Sequence, residues 1–167
     1  MNIEQAPKAK TPIDEANERL KAAQERRVKA AEAAALKKIE AEIRATEREA
    51  EEEEFAAALV ERLDGEIGVD FDFLRFGDFL VAVKRPVRLT QDSWNRDVQA
   101  AKNNVPDSSK VRNYVKRCLV PSEGADGEKT AAALFEQVAD QFPDAPILLA
   151  SLCNLLAQGG VARRQGK

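Results

Sequence analysis

From Ile13 to about Leu63 the chain has neither proline nor glycine, and Ala, Glu, Lys and Arg dominate. That composition predicts one continuous helix, and some fifty residues at about 1.5 Å each would reach roughly 75 Å. Its large apolar positions are sparse. Leu36, Ile39, Ile43, Thr46 and Ala50 follow a 3-4-3-4 spacing, and Ile13, Ala16, Leu20 and Ala23 follow it in a different frame, so the seam is interrupted. Opposite charges three or four apart, such as Glu15 with Arg19 and Glu40 with Arg44, support a helix by only a few tenths of a kcal/mol each. The reading is a solvated charged helix or a weakly pairing coiled coil. Phe55, Leu59, Val60 and Leu63 form a denser stripe, so the last two turns are expected to dock on a globular part.

The period then changes. Val69, Phe71 and Phe73 alternate with Asp70 and Asp72, and Phe79, Val81 and Val83 alternate with Leu80, Ala82 and Lys84. This predicts two half-buried strands reversing at Gly77-Asp78, with an aromatic face resting on helices because a lone hairpin is marginal in water. Pro86 ends the second strand, since it cannot donate to a ladder. Four amphipathic helices follow. The first is N-capped by Thr90 and carries Trp94, Val98 and Ala101 on one face. The second is capped by Asp107 or Ser108, with Val111, Tyr114 or Val115, Cys118 and Leu119 in register. The third starts near Asp126 and buries Leu134, Phe135, Val138 and Phe142. The fourth, capped by Asp144, has Leu148, Leu152, Leu155 and Leu156 as its stripe and Gly159 at its end.

The fold class is therefore mainly α (α+β): a long N-terminal charged helix followed by a small β-hairpin plus four-helix domain. The expected divisions are a disordered arm over residues 1–12, the long helix over 13–64, the compact domain over 65–160 and a flexible basic tail over 161–167. Composition sharpens this division. Residues 1–64 hold 12 Lys/Arg and 16 Asp/Glu, whereas six of the seven Phe, the Trp and the Tyr lie beyond residue 65. Only the second part has the side chains to fill a core. The N-terminus shows no secretory signal pattern and no apolar run approaches the roughly 18 residues that span a bilayer, so a cytoplasmic protein with no membrane partner is expected.

The chemistry is spare. With no histidine in the chain and no CxxC pair, Cys118 and Cys153 read as buried, reduced core residues rather than zinc ligands. No phosphate-binding glycine loop or nucleophile motif is present, so no catalytic residue, cofactor or metal is assigned and the protein is read as no enzyme. Asp70 and Asp72 share one face of a strand and could in principle meet a divalent cation, but two carboxylates without further ligands read better as a solvent face. Lys84, Arg85 and Arg88 cluster around Pro86, and Arg112, Lys116 and Arg117 lie close together on the second helix. Were they to converge, an acidic segment or a phosphate backbone would fit them. The acidic overall balance and Glu51-Glu52-Glu53-Glu54 weigh against nucleic acid.

The run Phe79-Leu80-Val81-Ala82-Val83-Lys84-Arg85-Pro86, the helix beginning near Thr90, Cys118-Leu119-Val120-Pro121, the break at Phe142-Pro143 and the leucine-rich last helix closing at Gly159-Gly160 together resemble the small tail assembly chaperones of tailed bacteriophages. The resemblance covers about residues 69–160. It implies a short hairpin ending in an Arg-Pro step and a compact helical bundle without an active site, binding the long, helical tape measure protein before the tail tube polymerises around it.

The leading expectation is thus a non-enzymatic assembly chaperone in the host cytoplasm. Its protein client would be the tape measure protein or other tail components, with homo-oligomerisation through the long helix as a further expectation. Candidate contacts are Arg85, Pro86 and Arg88 at the hairpin end and whatever part of the Phe55, Leu59 and Leu63 stripe stays uncovered. Two alternatives stay open: a structural virion or particle protein oligomerising through the N-terminal helix, and a nucleic-acid-binding regulator using the basic second helix.

Overall fold

The computed structural model describes residues 12–65, 70–104 and 106–159. The expected N-terminal arm before Pro12, Val69 and the basic tail from Gly160 on lie outside the described residues. The fold is mainly α with a two-stranded antiparallel hairpin, as the periodicities indicate. Helix α1 runs Pro12–Leu63, followed by β1 (Phe71–Phe76), β2 (Phe79–Lys84), α2 (Arg88–Ala100), α3 (Ser108–Cys118), α4 (Gly127–Gln141) and α5 (Ala145–Ala157). The chain divides into two compact units between Glu51 and Glu52, so the last turns of α1 belong with the hairpin and the other helices.

In the first unit α1 is solvated on every described side chain. Ala, Glu, Lys and Arg hold it helical by propensity, with pairs such as Lys38–Glu42, 3.9 Å apart, adding little.

In the second unit the hairpin is the middle layer. Phe71 lies opposite Lys84, Phe73 opposite Ala82 and Leu74 opposite Val81. This register places Phe71 and Phe73 on the face opposite Phe79, Val81 and Val83, not on one shared aromatic face. A two-residue turn offsets the partners so that odd positions of β1 meet even positions of β2. Gly77 makes the turn with φ +61°, and a Cβ there would stand 3.2 Å from Phe142 Cζ. One face, Phe71, Phe73 and Ala82, packs beneath Leu59, Phe55 and Leu63 of α1. The other, Phe76, Val81 and Val83, packs on Phe135, Val138, Leu149, Cys153 and Leu156 of α4 and α5 and Val115 of α3. Both sheet faces are therefore covered, where alternation had suggested half-buried strands. Arg75 Nε binds Glu52 Oε1 at 2.9 Å and ties β1 to α1.

Local details differ from expectation where tertiary contacts intervene. Val87, not Thr90, holds the cap position of α2, and Thr90 is buried inside its first turn. Asp107 caps α3 by accepting the Lys110 N–H at 3.0 Å. Helix α3 stops at Cys118 because Leu119 leaves it to bridge Val83, and Val120 N–H donates to the Ala82 carbonyl at 3.0 Å. Gly127 at the start of α4 is pressed so close to Ser122 that a Cβ would fall 2.0 Å from its carbonyl oxygen.

Candidate interaction surface

Helix α5 carries no charged residue from Ala145 to Ala157 and has large apolar side chains on both its buried and its outward sides, with Ser151 exposed among the outward ones. Its buried side is Ala145, Leu149, Cys153 and Leu156, all under 2 % exposed. Leu148 and Leu155, expected in the core stripe, instead face outward at 50 % and 49 % exposure beside Ile147 at 53 %. Leu152 sits between the two sides, partly buried. The correction has a simple cause: two interleaved apolar stripes fit this sequence, and the hairpin and α3 take the one containing the small residues, which lets the elements approach closely.

The outward row runs into a groove. About 650 Å³ of space lies against Ile147, walled by Pro106, Pro143, Pro146 and Val111, with Arg112 and Asp140 at its rim. Proline walls have little conformational freedom to lose on binding. A second, smaller cleft of about 270 Å³ lies between Phe55, Ala58 and Arg62 of α1 and the segment Leu119–Glu123.

The residues singled out from sequence are distributed unevenly. Arg85 is occupied by the fold: its Nε donates to the Leu156 carbonyl at 2.9 Å, and its guanidinium lies 3.6 Å from Asp70 Oδ1. A cation at the C-terminal turn of α5 also complements the helix dipole. Pro86 and Leu59 are buried, so neither meets a partner while the fold is closed. Phe55 and Leu63 are partly buried under α1's own contacts, with the Phe55 ring edge-on to Phe73 at 5.2 Å. Arg88 is exposed, 3.9 Å from Asp92, between exposed Val87 and Leu89.

Asp72 does not face solvent. It is 3 % exposed, and its Oδ1 accepts the N–H of Phe73 at 2.8 Å, so the carboxylate satisfies an outward N–H on the edge of β1. Among the described residues, no three His, Cys, Asp or Glu side chains converge as a metal site would need. On α3 the basic cluster is largely neutralised: Arg112 and Lys116 both bind Glu136, and Arg112 also reaches Asp140 at 3.4 Å. Lys116, and after it Arg112, hold the Glu136 carboxyl below the usual glutamate range. Cys118 and Cys153 are fully buried, and each is the main influence on the other, which holds the Cys118 thiol below its ordinary range and, together with burial, pushes the Cys153 thiol above it.

A polar cluster fixes the helices beneath this surface. Trp94 and Tyr114 stack at 4.3 Å with an interplanar angle of 11°. Tyr114 OH donates to Gln91 Oε1 at 2.8 Å and lies 3.1 Å from Asn154 Oδ1, tying α2, α3 and α5 together. Burial pushes the Tyr114 phenol well above its ordinary range, so it stays a donor.

Fold and surface thus define a small α-rich unit that presents apolar helix side chains, and a groove continuing from them, to solvent. Among the described residues no helix is long and apolar enough to cross a membrane. No family model matches the chain, and neither does any curated protein or solved structure.

Proposed function

We propose that this protein is a non-enzymatic assembly chaperone of the tailed-phage kind, acting in the host cytoplasm on apolar helical segments of a tape measure protein. The observation that carries the reading is the charge-free outward row of α5, Ile147, Leu148 and Leu155, running into the proline-walled groove. An amphipathic client helix laid along it would place its apolar residues at helical spacing against α5 and its polar face in water. The row is short, so each contact is weak. A long client with many such segments would gather several copies, and avidity rather than a deep pocket would supply the strength. The resemblance over residues 69–160 supplies the client's identity.

Arg112 and Lys116 are committed to Glu136, which disfavours the nucleic-acid reading, because a phosphate backbone would have to displace that carboxylate. The structural-particle reading differs in its outcome: such a protein would remain in purified virions, whereas the chaperone would be absent from them.

Co-expression tests the proposal. The tape measure protein of the same genome, insoluble alone, should become soluble with this chain and co-purify with it. Leu148→Glu with Leu155→Glu should abolish both effects while leaving the thermal unfolding midpoint nearly unchanged, since both side chains are half exposed. A soluble complex that survives this double substitution would remove the α5 face from the account. A client that stays insoluble with the wild-type chain would remove the chaperone reading itself.

A further inference from the structure

We infer that the first unit pairs with a second copy of itself along one continuous seam of right-handed pitch. In heptads the apolar positions of α1 break into two frames. In steps of fifteen residues they do not. Ile13, Ala16, Leu20 and Gln24 are followed at the same offsets by Val28, Ala31, Ala35 and Ile39, and then by Ile43, Thr46 and Ala50. Each repeat opens on a β-branched aliphatic residue and sets a small residue three positions on. Fifteen residues in four turns is roughly 3.75 per turn, above the about 3.6 of a straight helix, so two helices keeping this stripe in contact coil right-handedly, as those with eleven-residue repeats do.

The exposure pattern agrees with an uncovered seam. Leu20, Val28, Ile39 and Ile43 are 62 %, 56 %, 52 % and 52 % exposed, and every described residue from 15 to 51 is exposed. Thr46 fits an apolar seam because its hydroxyl bonds the Glu42 carbonyl at 3.0 Å, turning the donor back into its own helix. Gln24 is the one amide among the eleven positions, and a lone amide in a seam acts as a register device at some cost in affinity.

The occupant follows from area. Five large aliphatic side chains and the small ones between them would remove roughly 500–600 Å² per chain, about 1,100 Å² for a pair. That lies just under the 1,200–2,000 Å² of stable complexes. A second copy supplies the same length, spacing and mix of small and large side chains, and the association it gives is reversible and concentration-dependent. This inference is independent of the client-binding face on α5.

Sedimentation of the full chain over a range of concentrations tests it, with circular dichroism verifying that each variant remains helical. A monomer–dimer equilibrium is expected, weakened tenfold or more in dissociation constant by Val28→Glu or by Ile43→Glu. Leu36→Glu should leave it nearly unchanged, because the fifteen-residue frame uses Ala35 and sets Leu36 beside the seam. A chain that stays monomeric at every concentration overturns the inference, and so does a seam that binds only a different protein. Leu36→Glu dissociating the pair as strongly as Val28→Glu would restore the heptad frame and overturn the continuous seam.

Discussion

Arg85 at the end of β2 donates from Nε to the main-chain carbonyl of Leu156, 71 residues away, at 2.9 Å. One side chain thus joins the hairpin to the last turn of α5 and, through Asp70, to the approach to β1. The Arg-Pro step is a brace for the helix that bears the proposed client face. Arg85→Ala should lower stability by about 1–2 kcal/mol, because it leaves a helix-end carbonyl without its charged donor. Arg85→Lys should recover little, since a lysine lacks the fork that serves two acceptors at once. Urea unfolding followed by circular dichroism measures both; a change within about 0.5 kcal/mol would mean that the brace contributes nothing.

The Trp94–Tyr114 stack gives a second test. Trp94→Ala should cost roughly 3–5 kcal/mol by opening a cavity between α2 and α3. Tyr114→Phe keeps the ring but leaves Gln91 Oε1 without its donor, while Asn154 Oδ1 keeps the Gln91 Nε2 donor at 3.2 Å, so about 1–2 kcal/mol is expected. If Tyr114→Phe proved neutral in thermal and urea unfolding, water would be serving the Gln91 carbonyl oxygen.

Gly127 is set by contact rather than by backbone angle. A methyl group there would sit 2.0 Å from the Ser122 carbonyl oxygen, and its neighbours are main-chain atoms of Ser122 rather than the end of a flexible side chain. Gly127→Ala should therefore destabilise by about 1–3 kcal/mol, although alanine is the better helix former. A stabilised Gly127→Ala protein would show that the Pro121–Asp126 turn yields easily.

Acid should act partly through Glu136. Its folded pKa is depressed below the ordinary 4.5 by Lys116 and then Arg112, so its contribution is present above that value and lost as the pH falls through the lower folded one. The three side chains stay about a third exposed, so the effect is small and screened by salt. Compared across pH, wild type and Glu136→Gln should differ in unfolding midpoint near neutrality and converge in acid. A gap that widens on acidification would contradict this assignment.

What the sequence made legible was periodic and local. The long helix, the Gly77-Asp78 reversal, a cap for α3 at Asp107 or Ser108 and the core stripe of α3 all follow from spacing and residue type. What it hid was set by partners distant in the chain. Asp72 reads as a surface carboxylate until the covering of both sheet faces is known. Arg85 reads as a free cation until Leu156 is brought beside it. The outward face of α5 was missed because its two leucine-containing stripes are equivalent as patterns. The available signal was the lack of any charge across thirteen residues, which leaves more apolar surface than one buried side can use.

The central claim, that α5 is where a client is held, is most directly tested by hydrogen exchange of the full chain with and without a helical tape measure segment. New protection is expected in Ala145–Ala157 and the turn before it, absent in the Leu148→Glu, Leu155→Glu protein. Protection appearing in α1 or at Arg88 with α5 unchanged would contradict it.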